Sequence, residues 1–240
     1  MDLPRALEAS SNPYFSMLAG DVIEDPEDLL HASNLLGFGE KTAVNLPGEY
    51  AGSLPEDIIY NRTGLYSMAI GQHSLVGTPL QTAVMLSAIA NGGNVLRPKI
   101  AMDEDVEVRW QIFLPEEIRK PLIQGMKQVM VGEKGTARSA RSQFPAELFQ
   151  RVVGKTSTAE TYERFSLDGT TGQMKDKVIW FGGILFSKED KGSYKKPEIV
   201  VVVYLRYGLF GRLAVPFALK MAQKWEEINE MASNLHEGVW

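Results

Sequence analysis

Five β-branched residues in a row, Ile199-Val200-Val201-Val202-Val203, set the strongest limit on how this chain folds. Such a run favours a strand, and with no polar residue alternating in it the strand is expected to be buried on both faces. A strand of that kind needs one layer above it and another below. Arg151 to Thr158 and Val178 to Phe186 also read as strands, and the β-branched run extends from Glu198 to Tyr207. The charged loop 187–197 ends in a proline and reads as a hairpin connection. A final helix is expected from about Val215 to Met231, with Phe217, Leu219, Met221, Trp225 and Ile228 turned to the sheet. The apolar stretch from Ile199 to Leu205 is far short of the roughly 20 residues a membrane-spanning helix needs.

The first half reads as helices joined by loops. Asp2 is placed to cap a short helix reaching Ala9, which Ser10-Ser11-Asn12-Pro13 interrupts. Proline disfavours helical geometry at the residue before it and suits the first turn of a helix. Ser10 to Asn12 are therefore expected in a tight turn, and a second helix from Pro13 to about Ala19. Residues 37–64 are rich in Gly, Pro and Asn and read as a long loop. Thr78-Pro79-Leu80-Gln81 carries a capping box with proline at the first helical position. Leu80, Ala83, Val84 and Ala88 give that helix one apolar stripe, and Gly92-Gly93 stop it. Another helix is expected over 121–131, with Leu122, Met126, Val129 and Met130 inward. The chain thus divides into a mainly helical part, 1–149, and a part of sheet strands with a covering helix, 150–240. The fold class is α/β of the α+β type.

Composition narrows the function. The chain has 240 residues, 44% hydrophobic and 23% charged, enough for a sizeable core. A net charge of -5 without a basic stripe argues against nucleic acid as a partner. With no cysteine, disulfides, cysteine-ligated zinc and thiol catalysis are excluded. His31, His73 and His236 are scattered and lack metal-ligand spacing, so surface or core roles are expected for them. The methionines read as core filler. Met1 leads straight into a polar helix-like stretch, so no signal peptide is recognised.

Two short motifs could carry chemistry. Ser10-Ser11-Asn12 places a hydroxyl and a carboxamide two residues apart in a turn. The hydroxyl could relay a proton and the amide could bind a peptide bond, although such a turn before a helix is most often just a cap. The second motif is Gly154-Lys155-Thr156-Ser157-Thr158-Ala159. A phosphate-binding loop would need a glycine five positions before Gly154, where Phe149 stands, and a helix after Thr158, where a strand is expected. The other reading is an edge strand that presents Lys155 and hydroxyls to a carboxylate. Lys155 would supply the charge, Thr156 a hydrogen bond, and the backbone N–H of Thr158 an oxyanion donor. Against this stands the commoner fate of a lone lysine, a solvated surface position.

These pieces, taken in order, resemble the class B penicillin-binding proteins, whose three motifs are Ser-x-x-Lys, Ser-x-Asn and Lys-Thr-Gly. Ala6 to Phe15 is similar to the stretch around Ser-x-Asn. Asn45-Leu46-Pro47-Gly48-Glu49, with Gly52 and Pro55, is similar to a loop of that family. Ile70-Gly71-Gln72 followed by Thr78-Pro79-Leu80-Gln81 and Ala90-Asn91-Gly92-Gly93 is the most specific match. Gly135-Thr136-Ala137 and Trp180-Phe181-Gly182-Gly183 also fit. The resemblance covers nearly the whole chain. Three departures stand out: Ser157 replaces the usual glycine, His73 follows Gly71-Gln72 where glycine is usual, and no Ser-x-x-Lys precedes Ser10. The one such spacing, Ser193 to Lys196, lies in a polar loop and is read as coincidence.

The resemblance implies a penicillin-binding/β-lactamase-like transpeptidase fold, of which this chain would be the C-terminal part. The parent would cross-link peptidoglycan stem peptides by serine acyl transfer at D-Ala-D-Ala, with the nucleophile outside this chain. Ser10 would shuttle a proton and Asn12 would bind the acyl side chain. Lys155 and Thr156 would hold the substrate carboxylate, Ser157 would line the same strand, and Thr158 N–H would stabilise the oxyanion. β-Lactams would mimic the substrate, and no cofactor is implied. The expected partners are stem peptides, β-lactams, the N-terminal remainder of the parent and cell-wall synthesis proteins. The expected location is the extracytoplasmic face of a bacterial inner membrane, behind an N-terminal anchor. The alternative is a non-catalytic penicillin-recognising module or a divisome or elongasome scaffold, with a β-lactamase third. A sheet edge along 198–207 and a pocket beside helix 79–91 are expected to lie uncovered.

Overall fold

The computed structural model describes residues 1–101, 103–167 and 170–237, with side chains for 1–101, 103–161 and 176–232. His236 has its side chain outside that set. Helix α1 (Leu3–Glu8) starts at Asp2, whose Oδ1 accepts from Arg5 N at 3.0 Å. Helix α2 (Asn12–Met17) runs into a π-helical turn at Leu18–Val22, and α3 (Glu27–Leu35) follows.

The expected loop 37–64 is not loop throughout. A 3-10 turn covers Glu56–Ile59, and α4 (Arg62–Met68) begins inside the expected range. Asn61 Oδ1 caps α4 by accepting from Gly64 N at 3.0 Å, so the Asn and Gly that suggest a loop are the start of a helix.

Helix α5 (Pro79–Ala90) carries the expected capping box: Thr78 Oγ1 accepts from Gln81 N at 3.1 Å, and Thr78 N donates to Gln81 Oε1 at 2.8 Å. Gln81 is fully buried, and its Nε2 donates to Glu40 O and Ala51 O, both at 2.8 Å. One glutamine therefore caps the helix and pins the preceding loop. The helix is buried on two faces, not one. Val84 and Ala88 pack with Val95, while Leu86, Ile89 and Ala90 pack on the sheet.

A short antiparallel hairpin, β1 (Asn94–Leu96) with β2 (Val108–Gln111), falls in the part read as helical. Helix α6 (Glu116–Val131) starts five residues before the expected 121. Glu116 and Glu117 occupy its first turn, where acidic groups suit the helix dipole, and Pro121 sits within the helix. Met126, Val129 and Met130 are buried as expected, joined by Ile123.

After α7 (Ala146–Arg151), three antiparallel strands form a sheet in the order β3 (Val152–Leu167), β4 (Thr170–Phe186), β5 (Pro197–Arg206). The first two are much longer than expected and pair through Leu167↔Thr170. Helix α8 (Val215–Glu237) covers one sheet face, where Val152, Phe181, Leu185, Val201 and Val203 meet Val215, Ala218, Leu219 and Ala222. Of the residues expected inward, Leu219 is fully buried and Trp225 packs on the same cluster, while Phe217, Met221 and Ile228 are more than half exposed and Val215, Ala218 and Ala222 complete the face. The positions 215, 218, 219, 222 and 225 repeat every three or four residues, and small side chains let the helix approach closely.

On the other face, α5 and α6 meet Val153, Ile184 and Phe186, with Val200 and Val202 half-buried. Gly182 makes this possible, because a Cβ there would lie 2.7 Å from Leu86 Cδ1. So α5 packs against the sheet on one side and against Val95 on the other. The β5 edge carries no further strand among the described residues.

Candidate active-site cleft

Two segments 145 residues apart in sequence meet at one cleft. The first is the turn between α1 and α2. Ser10 N donates to Leu7 O at 3.1 Å and Ser11 N to Ala6 O at 2.9 Å, the paired bonds of a Schellman helix end. That motif needs a left-handed residue after the C-cap, and Ser10 has φ +50. Glycine is the usual occupant, and a serine there costs about 1–2 kcal/mol. The turn differs from expectation by one residue. Ser11 is the extended cap, with Oγ accepting from Tyr14 N at 3.4 Å, and Asn12 is the first helical residue. Pro13 sits in the first turn, where its missing N–H has no intrahelical acceptor to lose. Close packing of α1 on α6 holds the turn in place: a Cβ on Gly125 would lie 2.5 Å from Leu7 Cδ1. Glu8 Oε1 accepts from Lys134 N at 2.8 Å.

The second segment is β3. Its residues 155 and 157 share one sheet face with Val153, and 156 and 158 share the other. Lys155 Nζ donates to Ser10 Oγ at 2.6 Å and to Thr156 O at 2.8 Å. Burial pushes the Lys155 ammonium down to about 8. It is therefore not a solvated surface lysine. Thr156 is buried, and its Oγ1 lies 2.5 Å from Thr136 Oγ1. Thr158 Oγ1 accepts from Gly211 N at 2.9 Å. Ser157 is exposed, and its backbone is so close to Gly211 that a Cβ there would lie 2.5 Å from Ser157 O.

Ser10, Asn12, Lys155, Thr156, Ser157 and Thr158 all line this cleft of about 520 Å³, together with Ile70 and Gln72. Asn12 is exposed at its mouth. A hydroxyl that accepts from an ammonium keeps its own proton free for a second partner, so the Lys155–Ser10 pair can pass a proton into the cleft.

Other candidate groups fall away. Gly154 lies inside β3, where a Cβ would sit 2.5 Å from the Phe181 ring, so it serves packing and no phosphate cradle forms. Ser193 Oγ donates to Asp190 Oδ1 at 2.9 Å and Lys196 Nζ to Glu189 Oε2 at 2.9 Å, which ties both into their loop and away from each other. His31 is exposed. Among the described residues no group of three or more His, Asp or Glu could hold a metal, and no helix is long and apolar enough to cross a membrane.

No sequence motif assigns a role to Thr136 or Gly211. Thr136 stood in a recognised Gly-Thr-Ala stretch, but its partner is 20 residues away. Gly211 carries no sequence signal at all.

The penicillin-binding protein transpeptidase domain, as a family model, matches residues 1–205. The chain is 32% identical over 228 residues to penicillin-binding protein H of Bacillus subtilis, covering 82% of this chain and 30% of that relative. It is 28% identical over 244 residues to peptidoglycan D,D-transpeptidase MrdA of Haemophilus influenzae, covering 92% of this chain and 35% of that relative. The chain thus spans about a third of the length of the curated relatives it matches. Among solved structures, the penicillin-binding protein PBP2 from Helicobacter pylori shares the fold at a TM-score of 0.76 and 23% identity, over 95% of this chain and 40% of that one. PBP2 of Pseudomonas aeruginosa, in complex with WCK 5153, gives a TM-score of 0.70 at 25% identity, over 92% of this chain and 46% of that one. The match spans both halves of the cleft, from Ser10 to Thr158, and the chain belongs to the penicillin-binding protein transpeptidase domain family.

Proposed function

We propose that this chain supplies the proton-relay and carboxylate-binding half of a serine-type D,D-transpeptidase site, in a longer protein that cross-links peptidoglycan. The single observation that carries this reading is the 2.6 Å bond from Lys155 Nζ to Ser10 Oγ at the cleft. The attacking serine comes from a Ser-x-x-Lys segment outside these 240 residues. Its Oγ bonds to the carbonyl carbon of the penultimate D-alanine of a stem peptide. The C–N bond to the terminal D-alanine breaks, Ser10 passes that departing amine its proton, and the proton given up by the attacking serine returns to Ser10 through Lys155. An amine of a second stem peptide then attacks the ester and releases the serine.

Each residue of the cleft has a part in this. Lys155 and the Thr156 hydroxyl hold the terminal carboxylate, Asn12 binds the acyl side chain, and Thr158 N–H donates to the oxyanion. Ser157 lines the strand along which the substrate lies. A Lys155 pKa of about 8 leaves about a tenth of it neutral at pH 7, enough to take part in proton transfer. β-Lactams enter the same cleft as mimics of D-Ala-D-Ala. The protein works on the extracytoplasmic face of the membrane, beside other cell-wall synthesis proteins.

Ser157 in place of glycine favours a second reading, a penicillin-recognising module without catalysis. Labelling with a fluorescent penicillin separates the two. The 240-residue chain alone gives no covalent band on a denaturing gel, and the gene's longer product, carrying its upstream segment, gives one. A band mapped to a serine of this chain defeats the placing of the nucleophile outside it, and no band from a longer product that contains Ser-x-x-Lys defeats the enzymatic reading.

A further inference from the structure

One wall of the cleft is a strained turn with a tether. Residues Ala69, Ile70 and Gln72, which line the cleft, lie just after α4. Gly71 N donates to Met68 O at 2.8 Å and Gln72 N to Ser67 O at 3.0 Å. The chain then reverses through two left-handed residues, Gly71 at φ +74 and His73 at φ +66. Gly71 adopts that geometry freely, but His73 does so at a cost of about 1–2 kcal/mol. Such a conformation persists only where neighbouring contacts over-determine it.

The contact is visible. His73 Nε2 lies 2.8 and 2.9 Å from the two carboxylate oxygens of Asp57, 16 residues earlier on the 3-10 turn. Asp57 Oδ2 also accepts from Asn61 Nδ2 at 2.7 Å, and Asn61 Oδ1 is the cap of α4. Bonds from Asn61 and then His73 hold the Asp57 carboxyl below its ordinary range, so it stays an anion. His73 reaches Asp57 across Gly64, where a Cβ would lie 3.0 Å from Nε2. A single carboxylate is thereby tied to both ends of α4: to its start through Asn61, and to the turn beyond its end through His73.

We propose that His73 and Asp57 form a latch that positions the Ile70–Gln72 wall of the cleft, with His73 acting as a positioning residue through Gln72. This rests on the reading of the cleft as the ligand site. The latch itself can be tested without any ligand. Amide hydrogen exchange is followed in the chain and in His73→Ala, Asp57→Ala and the double variant. Loss of one tethering bond is expected to speed exchange at Gly71 and Gln72 about tenfold. The double variant should go no further than Asp57→Ala, which also loses the Asn61 bond, and amides of β3 such as Thr156 should be unchanged. His73→Gly, which removes the strain along with the tether, guards against misfolding and should give an intermediate acceleration. His73→Asn tolerates a positive φ and keeps an N–H donor, so it should restore part of the protection. Wild-type protection in His73→Gly, or equal acceleration at every amide in the alanine variants, overturns the latch. Binding of diacetyl-L-Lys-D-Ala-D-Ala to the gene's longer product is measured separately. A longer product that does not bind it counts against the functional reading while the exchange result stands.

Discussion

Lys127 and Lys155 sit in different regions, and burial lowers both to a pKa of about 8. Lys127 also lines a cleft, of about 840 Å³ beside α1, but the partners of its ammonium are backbone carbonyls. Its Nζ, reached from within α6, donates to Phe149 O and Gln150 O at the end of α7, at 3.2 and 2.5 Å. Those carbonyls accept hydrogen bonds and have no proton to give or take. Around Lys155 the partner is the Ser10 hydroxyl, and the pair opens on a cleft. Equal desolvation thus serves a helix end in one place and a proton path in the other. A depressed lysine pKa marks a candidate site only when its partner can itself move a proton.

The largest expected effect tests the cleft side of this contrast. In a longer product that reacts with penicillin, Lys155→Ala should slow acylation about 10²–10³-fold, the usual cost of losing one preorganised electrostatic group. Near-wild-type rates would remove Lys155 from the site. The comparison variant, Ser157→Gly, should change the rate by no more than a few fold.

The next effect is a pH dependence. Below pH 8 Lys155 is charged in both folded and unfolded chains, so the fold bears the full desolvation penalty. Between pH 8 and about 10.5 the unfolded chain binds more protons than the folded one, so stability rises with pH. Lys155→Met should flatten that rise by on the order of 3 kcal/mol, read from urea midpoints at pH 7.5 and 10.5. An unchanged slope would show that the lysine is not desolvated.

The smallest effect sharpens the other side. Lys127→Ala leaves the buried Phe149 carbonyl and the partly buried Gln150 carbonyl short of a donor and should lower stability by about 1–3 kcal/mol, with an unchanged urea m-value. Penicillin labelling of the longer product, measured well below its melting point, should keep its rate. A slowed rate in a fully folded Lys127→Ala protein would break the contrast between the two lysines.

Much of this was legible in the sequence where a local rule decides the outcome. The Thr78–Gln81 box, the Asp2 cap and the β-branched run of β5 each state their structure within a few residues. Legibility failed where the deciding contact is remote or unusual. The strands of the β1–β2 hairpin are three and four residues long, too short for a period to show. The polar stretch from Ala159 to Leu167 reads as an end to the strand, yet it pairs onward with β4. Part of the inner face of α8 is alanine, at Ala218 and Ala222, which carries a weak hydrophobic signal beside Phe217 and Met221. In the cleft, the residues of the two motifs could be named from the sequence, whereas the Thr136–Thr156 contact depends on where α6 ends against β3.

Ser10 stands where a helix end would ordinarily carry glycine. A selection for thermal tolerance alone should therefore enrich Ser10→Gly, since glycine relieves the backbone, by about 1 kcal/mol or more. A selection for wall synthesis in growing cells should discard the same variant, because the hydroxyl facing Lys155 goes with it. A deep-mutational library scored both ways should place this codon among those where the two rankings diverge, and neighbouring Ser11, an ordinary cap, among those where they agree.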